Sequence, residues 1–512
     1  MVIGGGVAGL ACAALLAADG NRVILLEKNT EFGGRAGSWE QDGFRFDTGP
    51  SWYPMPEAVD HFFRLLGTTT AEQLEVVQLD PGYRVFDGDG GDSPLDVAAD
   101  VVENVELFEG IERGAGARLA GYLDAGGDTY RLVRDKLLYS TLSSPGERLS
   151  PKPARPAIGS GRRLRSLLFT PLSRLIGHVA KNRGLRRILA SPALLLGSPP
   201  ERAPAMYAML NHLELVEGVL YPIGGLARVV SAIQALAAAQ GAELRSGMTV
   251  RRIVVEKGEA TGVEVADADG ALSFVDADVV ISAVDLHHSE TVLLTDDADR
   301  TYPQGYWDAR AAGQGAVLLF IGVSGELPEL EHHSLFFTGG AGRSGDAAPL
   351  YVGKPSGVDP QLAPDGAETV CVVIPVPADP SLGHGGADGA GDAAIEALAD
   401  LAIARISVAA GIPDLAERIV LRRTVGPADF VDEFNSWRGG AFGPALGLRQ
   451  SAFQRAGDPS ARVRGLYLAG ASMTPGLGLP SCLIGAELVL KRLRGDVSSE
   501  PLSEPLRPAR DR

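Results

Sequence analysis

Cysteine is scarce in this chain: three in 512 residues, Cys12, Cys371 and Cys482, none in a CxxC or otherwise paired spacing. That excludes a disulfide scaffold and a thiolate zinc site, and it fits a reducing, cytoplasmic compartment. Basic residues are outnumbered, 47 Lys+Arg against 64 Asp+Glu for a net charge of −17. A whole-surface nucleic-acid binder needs the opposite sign to displace counterions, so no nucleic-acid partner is expected. No apolar run reaches the 18 or so residues of a membrane-spanning helix, and no basic, apolar, small-residue signal opens the chain. The GxSxG elbow of serine hydrolases is missing. His287-His288 and His332-His333 are adjacent pairs whose side chains diverge on a strand, and no carboxylate/histidine set completes them. No metal is expected, and both pairs read as a solvated face or loop.

Glycine, in contrast, is abundant, 65 residues spread without a three-residue period. The amino terminus puts it to use. Val2-Ile3 run into Gly4-Gly5-Gly6-Val7-Ala8-Gly9, an Ala/Leu-rich helical segment follows to Ala18, and Arg22-Val23-Ile24-Leu25-Leu26 ends in Glu27 and Lys28. Strand, GxGxxG turn, helix and strand in register read as a dinucleotide site. Gly4 permits the tight bend, Gly6 lets backbone approach a pyrophosphate, Gly9 lets the helix pack closely, and Glu27 accepts ribose hydroxyls. Only three residues precede Gly4, fewer than the usual five or six of a strand. The expectation is a native start further upstream.

A second glycine turn, Gly33-Gly34-Arg35, is followed by Asp47-Thr48-Gly49-Pro50. Arg35 offers a fixed fork for a phosphate, and the Asp-Thr-Gly turn is polar enough to approach it. Near the other end, Leu466-Tyr467-Leu468-Ala469-Gly470 reads as a short buried strand, and Pro475-Gly476-Leu477-Gly478-Leu479-Pro480 leads into a helix from Cys482 to Leu493. Both ends of the chain thus close one site. The fold class expected is α/β, a Rossmann-type dinucleotide-binding domain joined to a mixed-sheet substrate domain and a helical lid.

These fingerprints, with Gly218-Val219-Leu220-Tyr221-Pro222-Ile223-Gly224-Gly225-Leu226, Val358-Asp359-Pro360-Gln361-Leu362-Ala363-Pro364-Asp365-Gly366 and Gly440-Ala441-Phe442-Gly443, resemble the bacterial-type phytoene desaturases. These belong to the amine-oxidase/glutathione-reductase-like superfamily of FAD-dependent oxidoreductases. The resemblance covers most of the chain and implies FAD as cofactor, bound by Gly4, Gly6, Val7, Ala8, Gly9, Glu27, Lys28, Gly34, Arg35, Thr48, Gly49, Val250, Gly470, Gly478, Leu479 and Pro480. It implies desaturation of a long, apolar carotenoid-precursor polyene, with electrons passed to quinone or oxygen. It leaves the catalytic acid or base unassigned. Two departures bear on the substrate: Met473-Thr474-Pro475-Gly476 lacks the family's frequent Thr-His-Pro-Gly histidine, and Ile281-Ser282-Ala283-Val284-Asp285 replaces a Ser-Asn-Ala-Asp pattern. Another carotenoid-modifying oxidoreductase, a polyene isomerase, a non-catalytic carotenoid- or lipid-binding protein and an amine oxidase stay open as alternatives.

Between Pro151 and Pro200 there is no acidic residue, while Lys152, Arg155, Arg162, Arg163, Arg165, Arg174, Lys181, Arg183, Arg186 and Arg187 are basic. Leu164, Leu167, Leu168, Leu172, Leu175, Ile176 and Val179 recur at helical spacing. The expectation is a basic amphipathic lid lying on lipid headgroups, with Arg162, Arg163, Arg165, Arg174 and Lys181 as the membrane contacts, the protein being peripherally membrane-associated. The alternative is a helical cap turned onto its own protein. The expected domain plan is a cofactor domain from 1–80, 216–290 and 436–496, a substrate domain from 81–150 and 291–435, the lid at 151–215, and a disordered tail at 497–512. The loops 338–349 and 377–392 read as flexible.

Overall fold

The computed structural model describes residues 1–49, 52–88, 93–141, 167–337, 349–445 and 455–507. Two sheets organise the chain. The first is five-stranded and parallel, in the order Leu466–Leu468, Val280–Ser282, Val2–Ile3, Ile24–Leu26, Glu243–Arg245. Its central strand is the chain's first. Helix Val7–Ala18 is apolar on every side and buries all but its last residue. Helices Gly225–Ala239 and Leu479–Leu493 supply its surroundings, with Val229, Ile233, Leu483 and Leu490 in the same core. An antiparallel three-stranded sheet, Thr249–Glu256, Glu259–Ala266 and Leu272–Asp276, is appended.

The second sheet has seven strands and is mixed, in the order Ile419–Val425, Gln314–Ser324, Ala367–Pro377, Leu350–Gly353, His333–Phe337, Tyr83–Asp87, Leu95–Val97. Strand Gln314–Ser324 is a continuous apolar run because both its faces are covered. Ala316, Leu318 and Phe320 point to one core, and Val317, Leu319, Ile321 and Val323 to the other. The second core is roofed by helix Ala393–Ala410 through Ile395, Ala399, Ala402, Ile403 and Ile406. The first is roofed by helices Val101–Ile111, Ala115–Val133, Leu172–Val179, Arg183–Leu195 and Ala208–Leu215.

That roof takes up the described part of the segment expected to lie on lipid. Leu172, Ile176 and Val179, on the apolar face of the basic segment, are buried in the core against the seven-stranded sheet. Burial against the sheet uses the face that lipid would have taken. Arg174 and Lys181 are exposed, while Arg162, Arg163 and Arg165 lie outside the described residues. Arg187, basic in the same segment, faces inward: its side chain is 1% exposed, paired with Asp87, and its guanidinium lies 4.8 Å over the Phe337 ring. Among the described residues no helix is long and apolar enough to cross a membrane.

Three further expectations are revised. His332 and His333 are buried, at 5% and 0% exposure, because their strand is internal to the seven-stranded sheet; His333 Nδ1 lies 2.7 Å from the Tyr351 hydroxyl, and burial pushes His332 down to about 3. The loop 377–392 is ordered by hydrogen bonds from Gly385 N to Asp429 Oδ2 (2.7 Å) and Thr424 N to Gly386 O (2.8 Å), while 338–348 lies outside the described residues. The tail is docked through residue 507: Leu502 and Leu506 are buried. Lys491 Nζ donates to the carbonyls of Tyr139 (2.8 Å), Ser498 (2.8 Å) and Glu500 (2.6 Å), so the tail supplies acceptors for a buried cation.

Removing Arg187 leaves half-enclosed Asp87 only the more distant Arg183 at 3.8 Å, a loss of roughly 3 kcal/mol for a buried pair. Arg187→Ala should therefore lower the urea midpoint strongly, while the exposed neighbour Arg186→Ala stays within about 0.5 kcal/mol of the parent. Equal midpoints for the two variants would refute the structural role of the pair.

Candidate active site

The glycine turn is a backbone-on-backbone contact. Gly4 N–H donates to Leu26 O at 2.8 Å, and a Cβ on Gly9 would stand 1.9 Å from Gly4 O. No side chain fits there. A Cβ on Gly6 would meet nothing nearer than 3.9 Å, so the backbone at Gly6 is open to the cavity in front of it. Helix Val7–Ala18 starts at Gly6 with no side chain capping its first turn, which leaves its amide donors for an anion. Gly33 N–H donates to Gly5 O at 2.9 Å, binding the second glycine turn to the first. Glu27 sits at the strand end, 7% exposed, and its carboxylate accepts from Gly5 N–H at 2.6 Å and Asn29 N–H at 2.8 Å. Two backbone donors fix the carboxylate's orientation and leave lone pairs for a hydroxyl.

A cavity of about 730 Å³ opens on this cradle. Of the sixteen residues named from the sequence, all but Gly9 and Pro480 line it. Gly9 lies behind the turn, and Pro480 is buried in the first turn of helix Leu479–Leu493. That helix, too, begins at a glycine, Gly478, with no side-chain cap, so two uncapped helix starts face one space. Lys28 closes a side wall, its Nζ donating to Asp432 O at 2.6 Å; burial lowers its pKa against the pull of neighbouring acids. Thr48 Oγ1 donates to Gly37 O at 3.0 Å. Arg35 reaches across the cavity to Ala441 O at 3.3 Å and Asp285 Oδ2 at 3.7 Å. These long contacts leave much of its fork free.

The other sequence segments prove structural. Asp47 does not face the cavity as the polar turn suggested: its carboxylate accepts from Leu226 N–H (2.8 Å) and Ala227 N–H (3.2 Å), capping helix Gly225–Ala239. Gly225 has φ +71, and a Cβ there would sit on the Asp47 carboxylate. Asp359 holds the preceding turn through Gly224 N–H at 2.7 Å. Two distant motifs thus aim one helix.

Beyond the cradle the lining turns apolar: Leu195, Leu196, Leu210, Ala316, Leu318 and Val373. Three side chains that sequence reading passed over stand in or beside it. Asp285, at a strand end noted only as a departure, is buried, and burial raises its pKa while Arg35 opposes. His288 has moved from the expected solvated position to the cavity wall, where burial lowers it to about 4. Glu214, near the end of helix Ala208–Leu215, is that helix's single acid, and burial alone raises it well above the ordinary carboxylate value. A single acid among the leucines Leu210, Leu213 and Leu215 was the signal available. Among the described residues, no group of three or more His, Cys, Asp and Glu is placed to hold a metal.

A parallel sheet with two uncapped helix N-termini and an acid-terminated second strand around one cavity defines a dinucleotide-dependent oxidoreductase with a separate substrate sheet. The open backbone at Gly6, the orphan amide donors and the Glu27 carboxylate fit a flavin dinucleotide. The family of flavin containing amine oxidoreductases matches residues 7–488; the chain belongs to that family, and FAD is its cofactor. It is 34% identical to carotenoid 3,4-desaturase of Haloarcula japonica over 97% of this chain and 98% of that protein. It is 31% identical to the zeta-carotene-forming phytoene desaturase of Myxococcus xanthus over 96% and 93%. Among solved structures, an oxidoreductase from Methanosarcina mazei superposes with TM-score 0.63 at 18% identity, covering 96% of this chain and 99% of that one. Putrescine oxidase bound to putrescine superposes with TM-score 0.59 at 16% identity, covering 96% and 98%.

Two outcomes are expected. Gly9→Ala should purify with under a tenth of the parent's FAD, read from absorbance near 450 nm, because helix and strand must part to admit the methyl; full loading would refute the contact. For Glu214, the unfolded carboxyl titrates near its ordinary 4.5 and the folded one well above it. Between those values unfolding releases a proton, so stability falls as pH rises. Glu214→Gln, which does not titrate, should be more stable than the parent at pH 7 and lose that advantage below about pH 4.5 in urea melts across pH; a pH-independent difference would refute the burial.

Proposed function

We propose that the protein is an FAD-dependent desaturase of a carotenoid-precursor polyene, acting on CH–CH bonds. The observation that carries this reading is one cavity that joins a dinucleotide cradle to an apolar wall. The names of its relatives, carotenoid and phytoene desaturases, support the same substrate class. FAD, when bound, supplies the two-electron oxidation that turns CH–CH into C=C, one hydrogen leaving as hydride and the other as a proton.

The chain's own residues bind, orient and exclude water. Gly4, Gly6, Val7, Ala8 and Gly34 would present backbone to the pyrophosphate, Glu27 the ribose acceptor, and Val250 the wall beside it. Gly470, Gly478 and Leu479 would flank the ring, and the uncapped turn after Gly478 would favour negative charge there. Lys28, Arg35, Thr48 and Gly49 would close the sides, with Gly9 and Pro480 shaping the turns behind. Leu195, Leu196, Leu210, Leu318 and Val373 take up the polyene by burial, worth about 25 cal/mol per Å² of apolar surface. Positioning of the chain against the ring is the protein's main contribution to rate. A cofactor domain from 1–80, 216–290 and 436–496 and a substrate domain from 81–150 and 291–435 divide this work. Electrons leave to quinone or oxygen, and exposed Arg174 and Lys181 favour an anionic lipid surface as the place where substrate is met.

The test is anaerobic incubation of the FAD-loaded protein with phytoene in liposomes, following absorbance near 450 nm and extracted pigments together. Bleaching with new conjugated chromophores is expected. Isomerised polyene without bleaching would replace desaturation by isomerisation, and neither change would overturn the substrate class.

A further inference from the structure

Many buried polar groups in this fold are partnered, while others, the Tyr83 and Tyr221 hydroxyls and Asn211 Nδ2 among them, have no hydrogen-bond partner among the described residues and lie away from the cavity lining. Asn104 exchanges hydrogen bonds with both backbone groups of Ala98 at 3.0 and 2.9 Å, Tyr122 donates to Asn211 Oδ1 at 2.7 Å, and buried Lys491 has its three carbonyls. Glu214 is set apart by lining the cavity. It projects from helix Ala208–Leu215 into the apolar half of the cavity, and its Oε2 is buried with no hydrogen-bond partner among the described residues. Trp52 lines the same cavity, and its indole N–H is likewise buried without an acceptor. Tyr83 stands beside the indole, its ring stacked on Trp52 at 6.2 Å.

For a pure hydrocarbon this arrangement is wrong. Apolar burial would seal an acceptor and a donor away from water with nothing to pair them, a cost a hydrophobic residue of the same size would avoid. A carboxyl kept neutral by its surroundings both donates and accepts, and an indole N–H donates only. Together they suit an oxygen that is itself both donor and acceptor, as an alcohol is.

We propose that Glu214 is a specificity-determining residue: the apolar half of the cavity takes a polyene that carries a hydroxyl group, held by the Glu214 carboxyl and the Trp52 indole N–H. This rests on the desaturase reading above and narrows its substrate class from polyene hydrocarbons to hydroxylated polyenes. A site built to hydrogen-bond a hydroxyl rejects the analogue lacking it far more strongly than an apolar pocket separates two hydrocarbons.

The test uses the FAD-loaded full chain and two polyenes of equal length and saturation in phosphatidylcholine liposomes, an acyclic hydrocarbon and its analogue with one terminal hydroxyl. Conversion rates and Kd from quenching of tryptophan fluorescence are read for the parent, Glu214→Gln and Glu214→Leu. FAD content and melting temperature verify that each variant is folded. The parent should favour the hydroxylated polyene at least tenfold in both readouts. Glu214→Gln, which keeps a donor and an acceptor, should retain most of that preference, and Glu214→Leu should reduce it to about one. A parent without preference, or a Glu214→Leu variant that keeps it, overturns the proposal while the desaturase reading stands. Conversion of neither polyene by the loaded parent, with no flavin bleaching, removes the desaturase reading itself and this proposal with it.

Discussion

The close approach of helix Val7–Ala18 to the turn at Gly4 is the constraint on which the rest of the site depends. With no side chain between them, the helix start stands directly over the strand end. Its free amide donors then open on the cavity rather than into protein, and the Glu27 carboxylate bonds to Gly5 N–H. An apolar helix buried on all sides is the corollary: contact this intimate leaves no polar face, so the helices Gly225–Ala239 and Leu479–Leu493 must complete its surroundings. The chemistry of the cradle is in that sense a packing result.

The substrate side is tied to the cradle by carboxylates used as caps. Asp47, on strand Phe44–Asp47 beside the seven-stranded sheet, fixes the start of helix Gly225–Ala239, and Asp359 fixes the glycine before it. Both acids act through backbone amides, where a carboxylate is satisfied at short range and without a counter-cation. The apolar wall and the dinucleotide cradle are thereby held in one geometry, which is what positioning catalysis requires.

Much of this was legible in the sequence because backbone chemistry leaves a local mark. Gly4, Gly6, Gly9 and Glu27 are specified by a turn, a helix and a strand within thirty residues, and a strand such as Gln314–Ser324 declares itself by its run of apolar residues. What was not legible depended on partners far away in the chain. The basic segment was amphipathic whether its apolar face met lipid or the core, and only the sheet beneath Leu172, Ile176 and Val179 decided it. The tail looked disordered because its role is to give carbonyls to Lys491 and an amide to Glu487, a debt invisible in its own residues. Asp47 read as a ligand contact since an acid in a turn looks the same whether it meets a phosphate-bearing molecule or a helix start. Glu214 went unnoticed because one acid in a helix that also carries Asn211 and His212 is usually a surface position.

The strand order of the parallel sheet also fixes a sequence of events. Its central strand, Val2–Ile3, is made before the others, but its neighbour Val280–Ser282 and the outer strand Leu466–Leu468 follow hundreds of residues later, and helix Leu479–Leu493 later still. During synthesis the first glycine turn therefore emerges with half of its sheet unmade and its apolar helix uncovered. The seven-stranded sheet, by contrast, is complete once strand Ile419–Val425 has been made. Non-local pairing of this kind is slow to form and leaves apolar surface open while it waits. The seven-stranded sheet can thus pair before the parallel sheet is complete, and FAD finds its whole cradle only once helix Leu479–Leu493 has been made.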